Sequence, residues 1–311
     1  MKKYILGSLG FCVFMLIVFF LYELLLFTRP NEYSFKQEYM DKHLDDIKVL
    51  ILGHSQLEQG LKPSEMGDSV FNLAIEGRPT YYDAVLAQCY VPRMKNLKYV
   101  IWPLAYNFQF NGHPFSLHDI IFERDGMMPT YHCMYYKYMG IPCGSFSFLC
   151  WSEILNSKYE FGKRLYTRDM ETLTRCDSLG FHSNGVHNPA AMNQTLPSEV
   201  NYDAPDVQKR LAEGMDDILS IARVCKAKGV HLIVLTPPAY KNYQKLLTKR
   251  GLYELKKVVD KMKEVNPSVE YHSYLFDSRF VEEDFFNSSH LAERGAVKFS
   301  KIVGRLIKKK L

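Results

Sequence analysis

Lys48-Val49-Leu50-Ile51-Leu52-Gly53-His54-Ser55-Gln56 decides how the rest of the chain is read. Lys48–Leu52 has the length and branched apolar content of a buried strand, and Gly53 ends it. A serine just past a strand end has its hydroxyl at the edge of the sheet, and a glycine before it lets the backbone turn unobstructed. Taken alone, Gly-x-Ser also fits an ordinary turn or helix cap. Downstream, Val70–Ala74 reads as a second strand, Lys98–Trp102 as a third stopped by Pro103, and Val230–Leu235 as a fourth. Val269–Leu275 reads as a weaker fifth. Helical spacing fills the gaps: Thr80–Met94, Asp206–Lys228, Tyr243–Lys249, Leu252–Lys263 and Leu291–Lys308. Strands alternating with helices predict a three-layer α/β/α domain on a parallel sheet, with its ligand site beyond the carboxyl ends of the strands.

The chain has 311 residues, 47% of them hydrophobic and 23% charged, which excludes a disordered or collagen-like whole. A net charge of +5 without a long basic block argues against a dedicated nucleic-acid binder. Tyr4–Tyr22 carries no charge over nineteen residues, which as a helix rise roughly 28 Å, close to the thickness of a bilayer core. Lys2 and Lys3 precede it, so the N-terminus is expected inside and everything after Arg29 outside the membrane. A cleaved signal peptide is the rival reading, but Phe27-Thr28-Arg29-Pro30 lacks the small residues of a cleavage site. The expected organisation is an anchor over 1–29, a polar connector over 30–46 and the α/β domain over 47–311. An insertion at about 106–204, rich in aromatic residues, breaks the alternation.

The second chemical signal is Phe285-Phe286-Asn287-Ser288-Ser289-His290-Leu291, where a loop enters the last helix. It puts a histidine at the same sheet edge as Ser55. A serine hydroxyl becomes a useful nucleophile only when a neighbouring base takes its proton. Gly53-His54-Ser55, Asn72-Leu73-Ala74-Ile75-Glu76-Gly77 and the closing Asn287-x-x-His290 together resemble, in order and spacing, the SGNH (GDSL-like) hydrolases. The likeness is nearest to the membrane-anchored members associated with cell-surface polysaccharide O-acylation. It covers about residues 45–105 and 205–305.

That resemblance implies a nucleophilic Ser55, a His290 base, and an oxyanion hole from the N–H groups of Ser55 and Gly77. It implies acyl-ester chemistry, O-acetyl transfer or hydrolysis, on a cell-surface glycan. It also implies a multi-span membrane O-acyltransferase as partner and a place in a bacterial cytoplasmic membrane; no Gly-x-Gly-x-x-Gly or phosphate-loop pattern occurs, so no nucleotide cofactor is expected. Two departures matter. The family's triad aspartate is Asn287 here, an amide that cannot supply its charge, so Asn287 or Asp284, and further off Asp277, are candidates to orient the histidine, or the site works as a dyad of lower activity. The family's third block, whose asparagine completes the oxyanion hole, is absent, and Asn107 after the third strand is the substitute candidate. An alternative follows from these departures: a catalytically weak or inactive subunit that binds glycan or docks on the acyltransferase.

Other residues have plain readings. His54 fits a packing or surface role, and Arg78, Tyr81 and Tyr82 fit either a sugar-binding cleft or a solvated helix start. His182 and His187 lack carboxylates or cysteines at metal-ligand spacing. Cys133, Cys143, Cys150 and Cys176 allow one or two disulfides in an oxidising compartment, or remain unpaired; no CxxC occurs.

Overall fold

The computed structural model describes residues 2–27, 31–106, 139–140, 176–194, 196–197 and 200–308. The proposed disulfide partners Cys133, Cys143 and Cys150, with most of the insertion, lie outside these residues. The chain divides into two compact units. The segment Met1–Phe35 belongs to the first, and all five strands belong to the second, which starts at Lys36.

In the first unit, α1 (Lys2–Phe27) contains Lys3–Leu25, 23 residues of mean hydropathy 2.5 and long enough to cross a membrane. Ile5, Phe11, Leu16 and Phe20 along it are exposed. The polar segment that follows is helix α2 (Glu32–His43), which runs into the second unit.

The second unit is built on β1 (Val49–Ile51), β2 (Val70–Asn72), β3 (Tyr99–Pro103), β4 (His231–Thr236) and β5 (Glu270–Ser273), all parallel, in the order β2-β1-β3-β4-β5. All five strands expected from the sequence are present. Pro103 does not stop β3 but closes it, lying opposite Leu235 of β4. The ladder continues past it because Leu104, not proline, donates to Leu235 C=O at 2.8 Å.

Between the strands stand α3 (Ser55–Glu58), α4 (Thr80–Tyr90), α5 (Pro205–Lys228), α6 (Lys241–Gln244), α7 (Lys249–Val265) and α8 (Glu293–Lys308). Pleating sorts the strand residues between two faces. Val49, Ile51, Tyr99, Ile101, Ile233 and Leu235 join one buried cluster with Phe299, Val303 and Ile307 of α8. Leu50, Val100, Leu232 and Val234 turn the other way, where α5 packs against α4 and α7. Burial on both faces explains why these strands read as unbroken apolar runs rather than alternating ones. Each fully buried Leu, Ile or Phe contributes about 1.5–3 kcal/mol.

The order of the strands matters for the site. The chain passes from β1 outward to β2, then returns to the other side of β1 for β3. β1 therefore lies where the winding reverses, the place at which sheets of this kind hold their ligands beyond the carboxyl ends of the strands. Ser55 follows β1 directly.

Helix α8 approaches this edge closely. A Cβ on Gly295 would stand 2.0 Å from Asp284 C=O and 3.0 Å from Leu291 Cδ2, so the helix start lies flat against the loop that carries His290. Gly295→Ala is expected to destabilise the fold by about 1–3 kcal/mol through overpacking. Urea unfolding should show a lower midpoint at unchanged slope; an unchanged midpoint would contradict this packing.

Candidate active site

The turn after β1 is held on three sides. Gly53 has φ +116, a conformation L side chains rarely adopt, and a Cβ there would meet Pro103 Cγ and Cδ at 2.3 Å. Its N–H donates to Asp83 Oδ1 at 3.0 Å, and its C=O accepts from Ile75 N–H at 3.1 Å. His54 then caps α3, its Nδ1 accepting from Gln56 N–H at 3.4 Å. Ser55 opens the helix and is half-buried. Asn72, wholly buried at the end of β2, fixes the far end of this segment. Its Nδ2 donates to Leu57 C=O and Leu61 C=O, both at 2.9 Å, and its Oδ1 accepts from Ala74 N–H at 3.1 Å.

The structure brings Ser55 and His290 together across 235 residues of sequence: Ser55 Oγ lies 2.8 Å from His290 Nε2. The other ring nitrogen, Nδ1, lies 3.0 Å from Asn287 Oδ1 and 3.1 Å from Ser289 Oγ. Asn287 Oδ1 also accepts from the backbone N–H groups of Ser289 (3.0 Å) and His290 (2.9 Å). An N–H only donates, so this atom is the amide oxygen and Nδ1 must carry the ring proton toward it. Nε2 then faces Ser55 Oγ with its lone pair, the arrangement a general base needs. Gln56 Nε2 ties the two segments by donating to Ser289 C=O at 3.0 Å.

Burial lowers the pKa of His290 to about 4, and no carboxylate offsets it. The ring is therefore neutral at ordinary pH. His54, buried next to the nucleophile, is lowered further, to about 3, first by burial and then by the charges of His290 and Arg78. Packing against the turn is its observed role.

Asp284 does not orient His290, correcting one expectation. Its buried carboxylate is taken by Val281 N–H (3.0 Å), Arg294 Nε (3.1 Å) and Lys298 Nζ, and the Asn287 amide occupies the Nδ1 side instead. Asp277 is bound to Arg279 Nε at 2.9 Å. Gly77 sits in the turn Ile75–Arg78, beside Gly53 through the Ile75 bond; among the described residues, the N–H groups of Gly77 and Ser55 have no acceptor. Asn107 lies outside the described residues.

Arg78 and Tyr82 are neither cleft-lining nor solvated but wholly buried, and Tyr81 is half-buried. Arg78 Nη1 pairs with Asp83 Oδ1 at 3.1 Å, and Trp102 Nε1–H donates to Asp83 Oδ2 at 2.9 Å. The sequence reading passed over Asp83. Its one signal, an acid in the first turn of α4, is equally that of a helix-dipole residue. His187 Nδ1 lies 2.7 Å from Phe285 C=O, next to the His290 loop.

No family model and no curated protein matches this chain. Among solved structures, it is similar to one described as "a putative platelet activating factor from Streptococcus pneumonia", at 11% identity and a TM-score of 0.43, over 93% of this chain and 99% of that one.

If His290 is the base, the rate is set by its neutral form. Activity should hold from neutral pH down to about 5 and fall as pH approaches the ring's value of about 4. Asn287→Asp keeps an oxygen for the same three N–H groups and adds charge that stabilises the imidazolium. The acid limb should move to higher pH, and kcat/KM should rise about tenfold or more. A pH profile with an aryl ester checks both. An unmoved limb would deny Asn287 its contact with the working base.

Proposed function

We propose that the chain is a membrane-anchored serine acyl-ester enzyme, an esterase or O-acetyltransferase, working through Ser55 and His290. One observation carries this reading: Ser55 Oγ stands 2.8 Å from the Nε2 lone pair of a neutral histidine whose tautomer Asn287 holds. In the proposed reaction, Ser55 Oγ attacks the acyl carbonyl carbon as its proton passes to His290 Nε2. The carbonyl electrons move to oxygen, and the backbone N–H groups of Ser55 and Gly77 receive the oxyanion. Collapse expels the alcohol, which takes the proton back from Nε2 and leaves an acyl-serine. A second hydroxyl, from water or a sugar, then gives its proton to His290 and attacks the ester. As the acyl–Oγ bond breaks, Ser55 Oγ takes that proton from Nε2; water yields an acid, a sugar yields a new ester, and both return free Ser55 and neutral His290.

An amide in place of the triad carboxylate weakens this machinery at one identifiable point. Asn287 orients the ring but gives no charge to the imidazolium that forms during attack. The same substitution favours the second reading, a weak or inactive subunit serving as a binding module.

The acyl acceptor and the partner come from the sequence resemblance rather than from the geometry. It directs the chemistry to a cell-surface glycan and implies a multi-span membrane acyltransferase that delivers the acyl group. Lys2 and Lys3 ahead of α1 favour a cytoplasmic N-terminus, with the α/β domain outside the membrane and next to that partner.

A serine-reactive fluorophosphonate tests the proposal on the full chain in detergent. Labelling is expected for the wild-type protein and loss of it for both Ser55→Ala and His290→Ala. A folded wild-type protein that resists labelling would contradict the enzyme reading and support the binding module.

A further inference from the structure

Three segments converge below Ser55, and one side chain touches all three. Asp83, in the first turn of α4, is 1% exposed. Its Oδ1 accepts from Gly53 N–H (3.0 Å) at the nucleophile turn and from Arg78 Nη1 (3.1 Å), one residue past the oxyanion glycine. Its Oδ2 accepts from Trp102 Nε1–H (2.9 Å) near the end of β3. All three partners are donors, which suits a carboxylate and no other side chain of that size. Arg78 and Trp102 are themselves buried, so the cluster is out of water and sets its own geometry. A buried ion pair is rarely the most stabilising way to fill such space; apolar residues often serve as well or better. What apolar residues cannot do is hold a backbone N–H at a fixed distance from a charged neighbour.

The consequence for catalysis is geometric. Gly53 has φ +116 with the Pro103 ring against its Cα, so the turn has little freedom of its own, and the Asp83 bond fixes the direction of its N–H. Arg78 is joined to Gly77, so the same carboxylate ties down the loop whose N–H would face the oxyanion. A nucleophile displaced by 1 Å from its oxyanion donors can lose two orders of magnitude in rate.

Resting on the Ser55–His290 reading, we propose that Asp83 is a positioning residue. It locks the Ser55 turn, the Gly77 loop and the end of β3 into one frame, and its loss slows acylation without removing the site.

Asp83→Asn is the test, because it keeps the shape while putting an NH2 group against a donor and withdrawing the carboxylate charge from Arg78. Fluorophosphonate labelling of the full chain gives two separate readings, the fraction of protein labelled at the endpoint and the rate constant. For Asp83→Asn the endpoint should stay complete while the rate constant falls about 10- to 100-fold. A purely structural role would lower the endpoint and leave the rate constant of the remaining sites at the wild-type value. That result, or an unchanged rate constant at full endpoint, overturns the proposal.

If Asp83→Asn does not yield folded protein, Trp102→Phe decides. It removes one donor and keeps the ion pair, and a few-fold slower rate constant at full endpoint is expected. An unchanged one overturns the proposal. Wild-type protein that takes no label overturns the underlying Ser55–His290 reading instead, and the positioning role falls with it.

Discussion

Two backbone N–H groups, those of Ser289 and His290, point at one atom of the Asn287 side chain. Because they can only donate, they force that atom to be oxygen, and the same oxygen faces His290 Nδ1. The ring proton is thereby held on Nδ1 and the lone pair of Nε2 is left for Ser55. Every chemical statement about the site depends on this constraint. A flipped amide would place an NH2 against Nδ1 and turn the base into a donor toward Ser55. The tight turn at Asn287–His290 thus does by backbone geometry part of what an aspartate does by charge.

The other part is missing, and the burial of the ring makes the absence plain. With its pKa lowered to about 4, the imidazole is always available as a base at neutral pH, but it is a weak one. A carboxylate would raise that basicity, and the buried one nearest in sequence, Asp284, is neutralised by Arg294 and Lys298. The sheet supplies what compensation there is. β1 lies at the reversal of the winding, and the Asp83, Asn72 and Pro103 contacts fix the backbone around Ser55 before any substrate arrives. In the proposed acyl transfer, such fixing would leave little reorganisation for the moment of reaction.

Much of this could be read from sequence because local signals and global structure agree. Four apolar runs became β1–β4, since burial on both faces leaves unbroken hydrophobic stretches, while β5 at the sheet edge is only partly buried and correspondingly weak in sequence. The amphipathic stretch after Asp206 became α5. Gly53-x-Ser55 and His290 stood out because turn chemistry and base chemistry each constrain residue type. What was illegible was pairing at a distance. Asp83 bonds to Gly53, 30 residues away, and to Trp102, 19 away, and neither spacing is a helical or strand neighbour relation. Arg78 fits a sugar-binding cleft or a solvated helix start in sequence, because nothing local announces a buried partner five residues on. Asp284 looked like a candidate because it shares the loop with His290. Only the cations arriving from α8 show where its charge is spent.

A neutral His290 carrying its proton on Nδ1 is what the whole site requires. Nitrogen-15 NMR of ring-labelled protein, titrated from neutral to acid pH with His290→Ala as the assignment control, tests it most directly. A protonated Nδ1 and an unprotonated Nε2, persisting until the pH approaches 4, are the expected result. A ring protonated on Nε2 at neutral pH, or one that titrates near the ordinary histidine value, would contradict it.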